Sequence, residues 1–205
     1  MHYDFIEIGT SNYNTEAENS FGEWGISVEP IKHYLDCLPS NNKLVKVNCA
    51  ISSNNIEEIV KIYYIPEETI DYYKLPQWLK GSNSINNYHV LHIENNLMDL
   101  VKVIDIQAIP IANLFNNNNV DSLRLLKIDT EGCDSDILIH YSEYLKTKDI
   151  GNYPETIIFE PLHCSISKTK KVIELYTEMG YNLVYLDNQN LHCELEFSKQ
   201  TKKYT

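Results

Sequence analysis

The sequence predicts an α/β fold built on one doubly wound, mostly parallel β-sheet. Short apolar runs alternate with stretches whose apolar residues recur at helical spacing, as in parallel sheets covered by helices on both faces. Four of the apolar runs end in an acid, at Glu7, Glu29, Asp129 and Glu160. The carboxyl ends of parallel strands form the ligand-binding edge of such sheets, so these acids are expected at one rim. A length of 205 residues predicts a single domain over residues 1–205.

The first strand is predicted from Tyr3 to Gly9, and Gly25 opens the second. Between them, Ala17, Phe21 and Trp24 fall at positions i, i+4 and i+7. This spacing predicts a short helix with one apolar face against the sheet.

Proline marks both ends of the next predicted helix. Pro30 occupies a helix-start position, where its missing N–H costs nothing, and Pro39 stops the helix. The core stripe between them comprises Ile31, Tyr34, Leu35 and Leu38. The following run from Leu44 to Ile51 predicts the third strand.

A long insertion interrupts the middle of the chain. Residues 59–65 and 101–109 are rich in Ile, Val and Tyr and predict paired strands, whereas residues 66–100 are too many for a plain connection. The aromatic residues of this insertion offer faces for sugar stacking, but a small core of its own is the favoured interpretation. These aromatics are Tyr72, Tyr73, Trp78 and Tyr88, beside Lys80, His89 and His92.

The second half predicts two more helices on the sheet. The strand that ends at Asp129 precedes a helix from Cys133 to Leu145, and a strand at 156–160 precedes a helix from Ser165 to Met179. The apolar stripe of the first helix is Ile137, Leu138, Tyr141 and Leu145, and that of the second is Ile166, Val172, Ile173, Tyr176 and Met179. Gly180 supplies a left-handed stop.

The chain end predicts a β-hairpin on the otherwise parallel sheet. Its strands are Tyr181–Leu186 and Leu191–Phe197, joined by a polar turn. The last strand therefore runs antiparallel to its neighbours.

Charge and cysteine usage argue against several classes of binding partner and several cellular locations. A formal charge of −12, with 29 acids against 17 basic residues, argues against nucleic acid and anionic membranes. The amino-terminal residues lack the pattern of a signal peptide, and no apolar run reaches the length of a membrane span. Five scattered cysteines without a C-x-x-C pair fit a reducing cytosol, so a cytoplasmic location is expected.

The spacing from Gly9 to Glu29 indicates a ligand with a ribose. An acid about 20 residues after a glycine turn, closing the second strand, is placed to bind ribose hydroxyls. Nicotinamide dinucleotides are one candidate, but Ser11 and Asn14 stand where a pyrophosphate turn needs glycines. S-adenosylmethionine has adenosine without phosphate, and the 9–12 turn would hold its amino-acid end. A helix-start carboxylate is an equally favoured interpretation of Glu29.

Four segments of the chain resemble the successive motifs of the FkbM family of S-adenosylmethionine-dependent methyltransferases. They are residues 5–12, Val28-Glu29-Pro30, residues 47–52 and, most specifically, Leu126-Lys127-Ile128-Asp129-Thr130-Glu131-Gly132. The segment Gly81-Ser82-Asn83-Ser84 corresponds to a small-residue loop of the family.

The resemblance implies a Rossmann-like class I methyltransferase fold, with a mostly parallel seven-stranded sheet and an antiparallel C-terminal strand. It implies O-methylation of a hydroxyl on a sugar, nucleotide sugar or related small metabolite. The donor-binding residues it implies are Glu7, Gly9, Thr10, Ser11, Asn12, Glu29, Pro30, Ala50, Ile51 and Asp129. Tyr13 departs from the family, which commonly has glycine there, and the preceding helical segment is missing. The 66–100 insertion, a partner subunit or further sequence would then cover the pocket.

The predicted catalytic residues are Asp129, Glu131, Glu160 and His163, which would position the acceptor and remove its hydroxyl proton. A divalent cation held by Asp129, Glu160 and His163 is a less favoured alternative. Structural interpretations also stand: a helix N-cap for Asp129, charge on the first helical turn for Glu131 and a surface or capping group for His163. Lys127 is predicted to form a structural ion pair.

Two other functions stay open. A methyltransferase-like module without activity would bind the donor and a partner, and a nicotinamide-dependent oxidoreductase would need the phosphate turn that the sequence lacks. A homodimer is also left open.

Overall fold

The computed structural model describes residues 1–11, 15–85, 87–187 and 193–199. Its strands, in chain order, are β1 (His2–Ile8), β2 (Gly25–Val28), β3 (Leu44–Val47), β4 (Ala50–Ile51), β5 (Glu58–Tyr64), β6 (Ser84–Ile85), β7 (Lys102–Ile109), β8 (Ser122–Ile128), β9 (Thr156–Phe159), β10 (Tyr181–Asp187) and β11 (Cys193–Lys199). The α-helices are α1 (Glu16–Asn19), α2 (Lys32–Cys37), α3 (Glu67–Tyr72), α4 (Val90–Glu94), α5 (Ile111–Asn117), α6 (Asp134–Leu145) and α7 (Ile166–Glu178). Short 3-10 helices lie at Gln77–Lys80, Met98–Leu100 and Ile150–Asn152.

The main sheet confirms the predicted fold class. Within the described residues it has seven strands in the order β10-β11-β9-β8-β1-β2-β3. The strands β3, β2, β1, β8 and β9 are parallel, and β11 is antiparallel to both of its neighbours. This is a Rossmann-like sheet whose last strand is reversed, as the sequence predicts. The turn of the predicted hairpin, and the start of its second strand at Leu191, lie outside the described residues.

A second sheet corrects the predicted third strand. The run from Leu44 to Ile51 is split, because only β3 pairs with β2, whereas β4 pairs with β7 in a sheet of order β4-β7-β5-β6. Asn48 stands at the change of sheet, and its side-chain amide donates to the carbonyl oxygens of Glu29 and Pro30, each at 2.9 Å. The predicted pairing of 59–65 with 101–109 is confirmed by the antiparallel β5 and β7.

The helices pack on the main sheet largely through the predicted stripes. All four stripe residues of α2 and its flanks are buried, and so are all four of α6. On α7, Val172 and Tyr176 are buried, but Ile166 at the start of the helix is 76% exposed and contributes nothing to the core. Among the described helices, none combines the length and the apolar composition that crossing a membrane requires.

The predicted first helix is wrong beyond its first turn. α1 has four residues, and only Ala17 of the three predicted apolar residues is buried, while Phe21 and Trp24 are exposed. The helix ends at Asn19, with Ser20 as its C-cap, so Phe21 already lies outside it. Gly22, at φ +92°, then turns the backbone before Trp24 is reached. The apolar spacing therefore never becomes a helical face.

The insertion builds its own core from aliphatic residues instead of aromatic ones. Ile65, Ile70 and Leu79 are buried together, with four partly buried neighbours, Leu75, Leu97, Leu100 and Val101. The four aromatics predicted to fill this core are all exposed, from 39% for Tyr88 to 79% for Tyr72. The favoured interpretation of these aromatics was therefore wrong.

Candidate functional site

A cleft opens at the carboxyl ends of β1, β2 and β8. The start of β4, the middle of β5 and the segment from Trp78 to Ile85 of the insertion form its other walls. The lining residues from the strand ends and their turns are Glu7, Ile8, Gly9, Thr10, Ser11, Val28, Glu29, Pro30, Lys127, Asp129, Thr130, Glu131 and Glu160. The predicted rim of acids is thus gathered around one cavity, as parallel strands at a switch point dictate.

The turn after β1 brings the backbone against the end of β8. Gly9 has φ +83°, and an ideal Cβ on it would lie 1.7 Å from the carbonyl oxygen of Asp129. The Gly9 N–H donates to the Val28 carbonyl at 2.9 Å, and the Asp129 N–H donates to the Ile8 carbonyl at 2.9 Å. Only glycine fits this crossing.

Glu29 holds two segments of backbone at the cleft. It is 2% exposed, and its two carboxylate oxygens accept the N–H groups of Ser11 and Ile31, each at 2.8 Å. Burial raises the pKa of Glu29 to about 7. Because Ile31 directly precedes α2, the predicted role of Glu29 at the start of this helix is confirmed. Glu29 also lines the cleft, so the predicted contact with a ribose stays a prediction.

Glu7 and Lys127 form the buried ion pair predicted for Lys127. Their side chains lie 3.3 Å apart, and Glu7 also accepts the Glu16 N–H at 2.9 Å. Burial raises the pKa of Glu7 to about 7. For Lys127, burial alone would lower the pKa, but the charges of Glu7 and Glu16 outweigh it and raise the pKa. The pair fixes the floor of the cleft between β1 and β8.

Three carboxylates converge at the ends of β8 and β9. One oxygen each of Asp129, Glu131 and Glu160 lies within 4.8 Å of the others. Burial, followed by the charges of Glu131, Asp134 and Glu160, raises the pKa of Asp129 well above its ordinary value. A buried acid with a raised pKa beside like charges is typical of groups that exchange protons.

The helix-cap interpretations of Asp129 and Glu131 are wrong. Cys133 is the N-cap of α6, and the carboxylate of Asp134 accepts the N–H groups of Thr130 and Gly132 at 3.2 and 3.4 Å. Glu131 lies three residues before α6, in a turn with φ +54°, so it is not on the first helical turn. Both side chains are turned to the cleft instead.

Two histidines approach Glu131, one from the insertion and one from the segment that follows β9. The Nε2 atoms of His89 and His163 lie 3.0 and 3.4 Å from its Oε2. The predicted cation set of Asp129, Glu160 and His163 is not brought together, because among the described residues His163 groups with His89 and Glu131. His163 does not line the cavity, but its ring lies beside Glu131, which does.

Nine of the ten residues implied to bind the donor line the cleft, and Asn12, with Tyr13, lies outside the described residues. Of the predicted catalytic residues, all but His163 line it. Gly81, Asn83 and Ser84 of the small-residue loop do so as well, and Trp78 adds an aromatic face. Sequence reasoning missed His89 as a site residue, because 42 positions separate it from Glu131 and only its place in a long insertion marks it.

Comparisons with known proteins agree with this geometry. A model of the methyltransferase FkbM domain matches residues 7–183, most of the chain. Among curated proteins, the chain is similar to the uncharacterized protein L504 of Acanthamoeba polyphaga mimivirus, with 27% identity over 164 residues. That match covers 73% of this chain and 38% of L504, so the chain spans less than two-fifths of its relative's length. The extent of the domain match shows that this chain belongs to the family of methyltransferase FkbM domains.

Proposed function

We propose that this methyltransferase domain transfers a methyl group from S-adenosylmethionine to a hydroxyl group. The charge of the cleft carries the proposal: among the described residues, its lining has five acids and one lysine. Even where burial raises their pKa values, these acids offer no positive charge to a phosphate, so the cleft favours a sulfonium cation and disfavours the pyrophosphate of a dinucleotide. The nicotinamide-dependent oxidoreductase is therefore the weaker alternative.

The residues of the cleft fit the parts of this donor. Glu29 would bind the ribose hydroxyls, because each carboxylate oxygen keeps a second acceptor site after binding one backbone N–H. The turn from Gly9 would hold the amino-acid end, and Pro30, Ala50 and Ile51 offer apolar surface to the base. Asp129 and Glu7 complete the donor side.

The acceptor side combines carboxylates with an aromatic face. When bound, the donor supplies an electrophilic methyl group, and the chain must position the acceptor oxygen in line and take its proton. Asp129, Glu131 and Glu160 are the candidates for this base, with His163 behind Glu131. Trp78 lines the cleft and is 46% exposed, which suits stacking on the ring of a sugar or nucleotide sugar.

The proposal also covers the cellular location of the protein and its binding partners. Four of the five cysteines, Cys37, Cys49, Cys133 and Cys164, are free thiols, which supports a reducing compartment such as the cytoplasm. A saccharide or other small molecule is the proposed partner, whereas nucleic acid and membranes are not. A homodimer would be tested by sedimentation.

Calorimetric titration with S-adenosylmethionine, S-adenosylhomocysteine and NAD tests the donor. We expect micromolar binding of the first two, weakened at least tenfold in Glu29→Ala because the ribose contact is lost. Circular dichroism must show that Glu29→Ala still folds, since two backbone N–H groups lose their acceptor. Glu143→Ala is the matched control, because Glu143 is 63% exposed on α6 and does not line the cleft.

The remaining outcomes decide between the alternatives. Binding of NAD alone would contradict the proposal in favour of the oxidoreductase. Donor binding without transfer to any of a panel of methyl glycosides and nucleotide sugars would favour the module without activity. Binding of none of the three compounds would contradict a donor site in this cleft.

A further inference from the structure

The insertion reaches into the candidate catalytic centre through one buried side chain. His89 precedes α4, is 3% exposed, and places its Nε2 atom 3.0 Å from Oε2 of Glu131. The same carboxylate oxygen lies 3.4 Å from Nε2 of His163. Two imidazoles thus face one oxygen of a cleft residue.

The hydrogen bonds of His89 fix its tautomer. As the N-cap of α4, its Nδ1 atom accepts the Leu91 N–H at 3.2 Å, so this nitrogen carries a lone pair. Burial lowers the pKa of His89, which keeps the ring neutral. A neutral ring without a proton on Nδ1 has it on Nε2, and Nε2–H then donates to Glu131.

A second buried histidine supports this ring. His92 is fully buried, and its ring stands edge-on to His89 with centroids 5.7 Å apart. The Ser82 hydroxyl donates to the Leu79 carbonyl at 2.9 Å and therefore accepts from Nε2 of His92 at 3.1 Å. Burial lowers the pKa of His92 to about 4, so it too is neutral. The polar interior of the insertion is arranged around His89.

Glu131 is held in a turn that leaves its two oxygens in different surroundings. Its backbone has φ +54°, and the next residue, Gly132, has φ +114°, with its ideal Cβ position 3.0 Å from the carbonyl oxygen of His163. Oε2 faces the two histidines. Oε1 lies 4.0 Å from the position that a Cβ on Gly81 would take, and Gly81 lines the cleft. Oε2 is therefore held by the histidines, and Oε1 lies on the side of Gly81.

We propose that His89 is a positioning residue that anchors Glu131 as the general base for methyl transfer. The proposal rests on the proposed function. The acceptor O–H bond breaks and its proton goes to Oε1 of Glu131, while the new O–CH3 bond forms and the C–S bond of the sulfonium donor breaks to leave a neutral thioether. The insertion therefore contributes to the reaction as well as covering the cleft.

A metal ion is the competing explanation of the same cluster. The ligating atoms of His89, Glu131 and His163 lie within 4.8 Å of one another, and separations near 3 Å suit two ligands of one ion. A metal on Nε2 of neutral His89 would require the proton on Nδ1. That proton would point at the Leu91 N–H, which is the donor of the cap. The backbone thus favours the proton on Nε2.

The tautomer can be measured without any acceptor. In protein labelled with 15N in its histidines, two-bond correlations between ring nitrogens and ring protons report which nitrogen of His89 is protonated. The signals of His89 are assigned by their loss in His89→Asn. We expect Nε2–H from pH 6.5 to 8.5, unchanged by added Zn²⁺ or Mg²⁺. A proton on Nδ1, or a ring that changes when either ion is added, would overturn the proposal in favour of metal binding.

Two substitutions separate the cap of α4 from the contact with Glu131. His89→Asn keeps an oxygen for the Leu91 N–H but is too short to reach Glu131, whereas His89→Gln can present an N–H to Glu131. We expect His89→Asn to lower kcat about 100-fold with an unchanged affinity for S-adenosylhomocysteine, and His89→Gln to recover at least tenfold. His2→Asn, at the opposite end of the sheet, is the control for histidine loss.

A wild-type kcat in His89→Asn would overturn the proposal. So would equal losses of kcat in both variants together with lost affinity for S-adenosylhomocysteine, because this is the pattern of a purely structural residue. Failure of the wild-type protein to bind the donor or to methylate any sugar of the panel would contradict the proposed function instead. Crystals of His89→Asn then still decide the anchoring, since an unmoved Glu131 carboxylate would contradict it.

Discussion

Gly9 shows how little room a single residue has at the edge of this cleft. Any side chain on it would meet the Asp129 carbonyl, and the backbone is in the left-handed region. We expect Gly9→Ala to lower the free energy of unfolding by about 3 kcal/mol or more and to abolish binding of S-adenosylmethionine. Chemical denaturation and calorimetric titration measure the two effects.

Gly22 provides the matched control. It also has a positive φ, +92°, but no atom lies within 4 Å of the position of its Cβ. Gly22→Ala should therefore cost only the backbone strain, about 1 kcal/mol, and leave donor binding unchanged. Equal effects of the two substitutions would show that the contact with Asp129 is unimportant.

Residues whose roles are local in sequence were predictable, and those joined only by the fold were not. Glu29 was found because the 20-residue spacing to Gly9 spans one strand–helix–strand unit, which has nearly constant dimensions. Lys127 was found because a buried lysine requires a carboxylate. The partner of Glu131, His89, lies in an insertion whose path no local pattern determines.

At the scale of elements, local apolar spacing predicts a helix only where the backbone can continue. The stripes of α2 and α6 are buried as predicted because no break interrupts them. Gly22 ends the pattern after α1, and the Asn48 side chain binds two carbonyls where β3 gives way to β4. The short α1 and the change of sheet after β3 each occur at a non-apolar residue, which a search for apolar spacing does not consider.

The insertion behaves, on its packing, as a separate small core. Leu79 is 1% exposed and packs with Ile65 and Ile70, apart from the cluster around the main sheet. We expect Leu79→Ala to lose about 2–4 kcal/mol of local stability and to raise hydrogen exchange within residues 65–101, while the main sheet stays protected. Hydrogen exchange read by mass spectrometry checks this.

Leu126→Ala is the comparison for Leu79→Ala, because Leu126 is fully buried in β8 within the main core. It should raise exchange over the whole sheet. If Leu79→Ala lost as much protection from hydrogen exchange in the main sheet as in the insertion, the two cores would not be separate. Since Trp78 lines the cleft and is adjacent to Leu79 in sequence, Leu79→Ala should also weaken binding of the acceptor more than binding of the donor.

For the whole molecule, burial of acids around the cleft links stability to pH. The folded-state pKa values of Glu7 and Glu29 are raised to about 7, so the folded state binds more protons than the unfolded state. That contribution is complete below the unfolded value near 4.5 and is lost as pH rises through 7. The free energy of unfolding should therefore fall between pH 6 and pH 8, by about 1 kcal/mol for each of the two.

Urea unfolding at both pH values measures this fall. The buried His89 and His92 offset part of it between pH 6 and pH 7, because their lowered pKa values destabilise the folded state where the unfolded histidines, with an ordinary pKa near 6.5, are still partly protonated. The comparison with Glu7→Gln isolates one acid, since both proteins carry the same histidines, and the substitution should reduce the fall by about 1 kcal/mol. Stability that rises from pH 6 to pH 8 would contradict buried, proton-binding acids.

The composition predicted this acidity but not its location. A formal charge of −12 argues against nucleic acid and anionic membranes as partners, and the strand ends predicted the rim of acids. The second sheet and the exposed aromatics of the insertion were not predicted, because both depend on how the insertion folds back on itself.

The insertion leaves and rejoins the second sheet at neighbouring positions, since Tyr64 at the end of β5 pairs with Lys102 at the start of β7. Segments whose ends lie side by side are the ones that tolerate replacement. Related domains could therefore exchange this segment whole, changing the acceptor while keeping the donor cleft. Any replacement would need to bring its own group to Glu131, so new specificity and catalytic competence would have to be acquired together.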